Sequence, residues 1–288
     1  MIKSGSSRCL ILRDTNKMVN IKQKRASSRI RDVKLRPTRA RMKRFRELLD
    51  LTAVGQEPNP QKLQQLKETT AFKGFGWGEM IHSGWYKHLH QRNLIESARF
   101  VMQHGRVGSN SKVLSIGPGG AHIELFLNNE MRVRLGSQPG EVVGVDIDPK
   151  ILTEAKQIFD AAKSRFPVVP KMLVRGDPVN NGFHRDNHKG RYDTIMAINS
   201  LPPARAGYRQ FIDDFATTIK WSPKSRVLIS ALALPPRHDR PVTFMPNEFI
   251  RDLREKGFKV LLTQDKAYKS GTEKMRRWLF VARPVVKR

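Results

Sequence analysis

From residue 111 onward, short apolar runs alternate with helical periods, and this alternation narrows the possible folds more than any other feature. "KVLSIG" (112–117) reads as a strand and "AHIELFLNNE" (121–130) as a helix. "EVVGVDID" (141–148) is a second strand, and Pro149 opens a helix running to Phe166. Strands follow at 170–177 and 192–199, then a helix at 207–221, a strand at 225–234 and a helix at 246–258. Two last strand-like runs, 259–268 and 276–284, have no helix between them. Strand–helix alternation predicts a mostly parallel, doubly wound α/β sheet with helices on both faces. The last pair must then close the seven-stranded sheet as a C-terminal antiparallel hairpin.

Ahead of this region the pattern differs. Residues 41–53 and 60–72 read as short helices, and "HQRNLIESARFVMQHG" (90–105) reads as a clearer one stopped by Gly105. Residues 1–40 have no sustained apolar period and few acids, so they predict a basic disordered tail or a transit segment. Three parts result: the tail 1–40, a helical extension with an aromatic lid at 41–110, and the domain 111–288. Net charge is +28, and residues 1–50 alone carry 16 Lys and Arg against 4 Asp and Glu. Such a surplus attracts polyanions, so contact with RNA or another polyanion through the tail is expected. The single cysteine, Cys9, rules out a disulfide framework and a CxxC zinc site. No apolar run approaches the ~20 residues of a membrane span. The expected location is intracellular, either cytoplasmic or, if residues 1–40 are a transit segment, mitochondrial.

The first strand ends in "SIGPGGA", where side chains disappear at Gly117, Gly119 and Gly120. A glycine turn between a strand and a helix exposes bare backbone and free helix N–H groups to a ligand. The second strand ends with Asp146 and Asp148, and the third reaches Asp177. Carboxylates at successive strand ends can accept ribose hydroxyls and the amine of an adenine, at the edge where such sheets bind ligands.

With these residues in view, the sequence resembles the class I S-adenosylmethionine (SAM)-dependent methyltransferases over roughly residues 75–284, which implies a Rossmann-like fold and SAM as cofactor. Gly117 and Gly119 match the family's glycine loop, Ser115 replaces its usual acid, and Ala121 replaces the third glycine. The resemblance implies that Ser115, Gly117, Gly119, Asp146, Ile147 and Asp177 hold SAM. It also implies a sheet closed by an antiparallel strand. A dinucleotide-binding domain is the nearest rival, but it normally repeats its three-strand unit and lacks such an end.

"FGWGEMIHSGWYKHLH" (75–90) gathers Phe75, Trp77, Trp85 and Tyr86 with three histidines. Aromatic faces attract a sulfonium cation, and histidine can serve as a general base. Gly76, Trp77, Gly78, Glu79, His82 and Gly84 resemble a segment of tocopherol- and sterol-type small-molecule methyltransferases. That resemblance implies a pocket roof, with His82 or Tyr86 orienting the acceptor and Asn199 lining its site. His88 and His90 lack an evident third ligand, so no metal is expected. "NSLPPA" (199–204) departs at both ends from the tetrad of amino-methylating nucleic-acid enzymes, and no core cysteine allows thiol-based cytosine-C5 chemistry. Three functions stay open. The chain could methylate a small-molecule or RNA acceptor. It could be an RNA- or ribosome-associated methyltransferase-like protein with weak or lost catalysis. Or it could transfer SAM's aminocarboxypropyl group. The sequence leaves the oligomeric state undefined.

Overall fold

The computed structural model describes residues 33–52, 91–136, 140–146, 149–170, 172–175, 188–198, 200, 205–233, 244–270 and 273–286. All of these except Val33 fall in the unit Lys34–Arg288. The basic stretch 1–32 and the aromatic stretch 75–90, with the helix expected at 60–72, lie outside the described residues.

The elements follow the expected order. Helices α1 (Arg39–Thr52) and α2 (Gln91–His104) precede β1 (Lys112–Ile116), α3 (His122–Asn129), β2 (Glu141–Asp146), α4 (Pro149–Ala162) and β3 (Met172–Arg175). Then come β4 (Thr194–Ile198), α5 (Arg205–Thr218), β5 (Arg226–Ala233), α6 (Pro246–Glu255), β6 (Phe258–Ser270) and β7 (Glu273–Pro284). The strands form one sheet in the order β3-β2-β1-β4-β5-β7-β6. Strands β1 to β5 pair in parallel, while β7 runs antiparallel to both β5 and β6. The mixed α/β architecture is thus the expected one. The returning strand β7 enters between β5 and β6, so the hairpin's first strand forms the edge.

Alternation along each strand separates two apolar layers. Val113, Val142, Met196 and Leu228 join one layer with residues of α1, α2, α3 and α4. Leu114, Val143, Ala197 and Ile229 join the other with residues of α5 and α6. The N-terminal helix is therefore part of the core of the sheet domain. Thr38 caps it, accepting from the Arg41 N–H at 3.3 Å, and Met42, Phe45, Leu48 and Leu49 form its buried stripe. The Phe45 ring meets Phe126 of α3 edge-on, with centroids 5.0 Å apart.

Two polar ties lock this face. Beyond α3 the chain widens into a π-helical turn, Glu130–Arg134, that the periodicity does not reveal. There the buried Glu130 accepts from Arg41 Nε at 3.1 Å and from Arg44 Nη2 at 2.7 Å. The buried Arg277 of β7 donates from Nη2 to Ser97 Oγ of α2 at 2.5 Å and from Nε to Ser230 Oγ of β5 at 2.8 Å. Glu130 is the buried partner of two largely buried guanidinium groups. Glu130→Gln should therefore lower unfolding stability by about 2 kcal/mol, the scale of charge-assisted hydrogen bonds lost from a partly buried pair. Urea denaturation checks this, and hydrogen exchange should rise first in α1.

Candidate functional site at the carboxyl ends of β1 and β2

The strand order reverses at β1, which has β2 on one side and β4 on the other. A crevice opens beyond the carboxyl ends of strands at such a switch point. Here the glycine turn occupies it. Gly117 donates its N–H to Val145 O at 2.8 Å, which ties the turn to the end of β2. From the other side Ser200, just past β4, donates its Oγ to Ile116 O at 2.6 Å.

Two glycines are required here for different reasons. Both take left-handed backbone, with φ of +64° at Gly117 and +57° at Gly119. A Cβ on Gly117 would stand 2.4 Å from Ser200 Cβ, so this glycine makes room for the protein itself. Among the described residues, a Cβ on Gly119 would meet nothing within 4 Å. The described residues therefore leave the backbone at 119 uncovered, as a cradle for a ligand must be. Ala121, standing at the third glycine position, also takes a left-handed φ of 54° at the start of α3.

Two acidic groups lie near the carboxyl ends of β1 and β2. Asp146 ends β2 and is buried. Ser115 is buried in β1, with Gly144 and Met196 as its register neighbours. Glu124, in the first turn of α3, accepts a hydrogen bond from Ser115 Oγ at 2.6 Å. Glu124 is only 3 % exposed, and burial pushes its carboxyl up from 4.5 to about 7. The bond from Ser115 and its own backbone N–H oppose that shift, while the charge of Asp146 adds to it. Beside it, burial drives His122 down to about 4, so this imidazole stays neutral. Its Nε2 lies 3.1 Å from Thr52 Oγ1. Thr52, the last described residue before the aromatic stretch, therefore sits at the foot of the helix that follows the glycine turn.

Of the residues expected to hold a ligand, Ser115, Gly117, Gly119 and Asp146 come together here. Ile147, Asp177, His82, Tyr86 and Asn199 lie outside the described residues. Sequence reasoning missed Glu124 and Ser200. The signal for Glu124 was present: it is the first acid after Ser115, at whose position the resemblance implies an acid. Ser200 carried no such signal. Among the described residues no group of three or more His, Cys, Asp and Glu could hold a metal ion, and no helix is long and apolar enough to cross a membrane.

No family model matches the chain, and no curated protein matches it. Many of the solved structures similar to it are SAM-dependent methyltransferases. The CurJ carbon methyltransferase is 16 % identical with a TM-score of 0.45, covering 62 % of this chain and 49 % of its own, so the chain spans about half of that protein's length. A TehB-like SAM-dependent methyltransferase from Corynebacterium glutamicum is 19 % identical with a TM-score of 0.44, covering 71 % of this chain and 98 % of its own. A SAM-dependent methyltransferase from Aquifex aeolicus is 13 % identical with a TM-score of 0.44, covering 72 % and 99 %.

The buried acid makes a stability prediction. Between pH 4.5 and about 7, Glu124 is protonated in the fold and ionised in the unfolded chain. Folding takes up a proton in that window, so Glu124 makes stability fall as pH rises. Glu124→Gln removes this loss. Wild type and variant should be equally stable near pH 4.5, and the variant should be more stable by about 3 kcal/mol at pH 8, at about 1.4 kcal/mol per tenfold change in proton affinity. Melting temperatures across pH 4.5–8 read the difference.

Proposed function

We propose that the chain is a SAM-dependent methyltransferase, with the methionine part of SAM lying over Gly117–Gly119 and the ribose at Asp146. The observation that carries this reading is the left-handed glycine turn at the switch point, where among the described residues a Cβ on Gly119 would meet nothing within 4 Å, together with the buried acids Asp146 at the end of β2 and Glu124 in the first turn of α3. Bare backbone suits a close-lying ligand, and carboxyls suit its hydroxyls and its cationic amine. When bound, SAM supplies a methyl group activated by a sulfonium centre. The chain's part is to hold, orient and dry the reacting pair. Gly117 and Ser200 brace the turn, Asp146 accepts from the ribose, and Asp177 and Ile147 complete the adenine side. His82 or Tyr86 orients or deprotonates the acceptor, and Asn199 lines its site. The exit of α1 at Thr52, beside His122, supports a roof formed by the stretch that follows.

Calorimetric titration of SAM tests the cofactor. Micromolar binding is expected. Asp146→Ala should weaken it by about 1.5–3 kcal/mol, the scale of hydrogen bonds to a charged group. Gly119→Ala should weaken it as well, because its methyl enters the cradle. Unchanged affinity in both folded variants defeats the assignment.

A second reading, an RNA- or ribosome-associated protein with weak or lost catalysis, is favoured by a different surface. Lys34, Arg36, Arg39, Lys43 and Arg46 are exposed along α1 and the strand of chain before it, continuing the basic run of the tail. RNA affinity of the full chain should then fall steeply with salt, in proportion to the phosphates contacted. A flat salt dependence counts against it.

A further inference from the structure

Ser115 leaves the end of β1 without the acid that the resemblance leads one to expect, yet a carboxyl still reaches that place. Ser115 lies on the sheet face covered by α3, where its register neighbour Gly144 contributes no side chain. Glu124 reaches into this position from the first turn of α3, and its Oε1 lies 2.6 Å from Ser115 Oγ. An aspartate at 115 would bring its carboxylate to much the same point. The geometry points to Glu124 as the relocated acid: it binds the ammonium group at the amino-acid end of the cofactor, and Ser115 fixes the direction of its carboxyl.

Three observations support this. Burying a carboxylate is unfavourable unless a cation or hydrogen bonds offset it. Among the described residues Glu124 has no cationic partner, unlike Glu130, Glu141 and Asp252, which each face a guanidinium. Asp146 lies close enough to repel it, so two acids meet near the carboxyl ends of β1 and β2. A ligand cation arriving over Gly119 relieves both conditions at once. Finally, the first turn of a helix is where backbone N–H groups help hold a carboxylate in its charged form.

The inference rests on the cofactor reading, and the test separates the two. S-Adenosylhomocysteine and its analogue lacking the amino group are titrated at pH 8 into wild type and Glu124→Gln. Wild type should prefer the amino ligand. Glu124→Gln should lose about 10- to 100-fold in affinity for it, the fold-change of one charged hydrogen bond. The variant should bind the amino-free analogue as wild type does. Adding Ser115→Asp to Glu124→Gln should restore at least about tenfold of the loss. Equal affinity of wild type and Glu124→Gln for S-adenosylhomocysteine overturns the inference and leaves the cofactor reading intact. An equal loss for both ligands makes Glu124 a structural group and also overturns it. Folded wild type that binds neither ligand overturns the cofactor reading and the inference together.

Discussion

The parallel pairing of β1 with β2 on one side and β4 on the other is the constraint from which the site follows. The strand order reverses at β1, and at such a switch point a crevice forms beyond the carboxyl end of the strand. The turn that fills this gap is held from both sides, by Val145 O through the Gly117 N–H and by Ser200 Oγ on Ile116 O. A Cβ on Gly117 would run into Ser200, while among the described residues one on Gly119 would meet nothing, so the first glycine serves the fold and the second leaves its backbone uncovered.

Beside the end of β1 the structure accepts an unfavourable arrangement. Glu124 is buried, lies near Asp146, and has its carboxyl pushed up to about 7. Packing alone does not call for an acid here, since apolar residues fill the layer around it. Strained electrostatics of this kind gather at ligand sites, where the ligand supplies the missing charge. Ser115 is then an orienting partner for a carboxyl drawn from the helix, and its presence is compatible with a working site.

The N-terminal helix has a larger part than its place ahead of the alternating region suggests. Phe45 packs edge-on against Phe126 in the same apolar layer, and Arg41 and Arg44 hold the π-helical turn through Glu130. Through Thr52 and His122 the helix also reaches the start of α3. The geometry of the glycine turn is thereby linked to residues well before it in the chain. Sequence patterning treats α1 as an extension because its amphipathic stripe names no partner; any apolar face of matching width fits such a stripe.

Sequence alone determined the elements and their succession, because strand and helix periods differ and Gly and Pro mark their ends. It also singled out Gly117, Gly119 and Asp146 as candidates, whose chemistry is local: bare backbone after a strand, and a carboxyl at the next strand's end. The mixed sheet followed from the same alternation. Only the tertiary structure decided that β7 enters between β5 and β6, since a hairpin's sequence does not say which of its strands meets the sheet. Only the tertiary structure brought Ser200 onto the turn and Glu124 onto Ser115, because each contact joins elements through packing across the sheet. A spacing of nine residues from a strand to a helix face becomes a 2.6 Å hydrogen bond only once α3 has docked on β1.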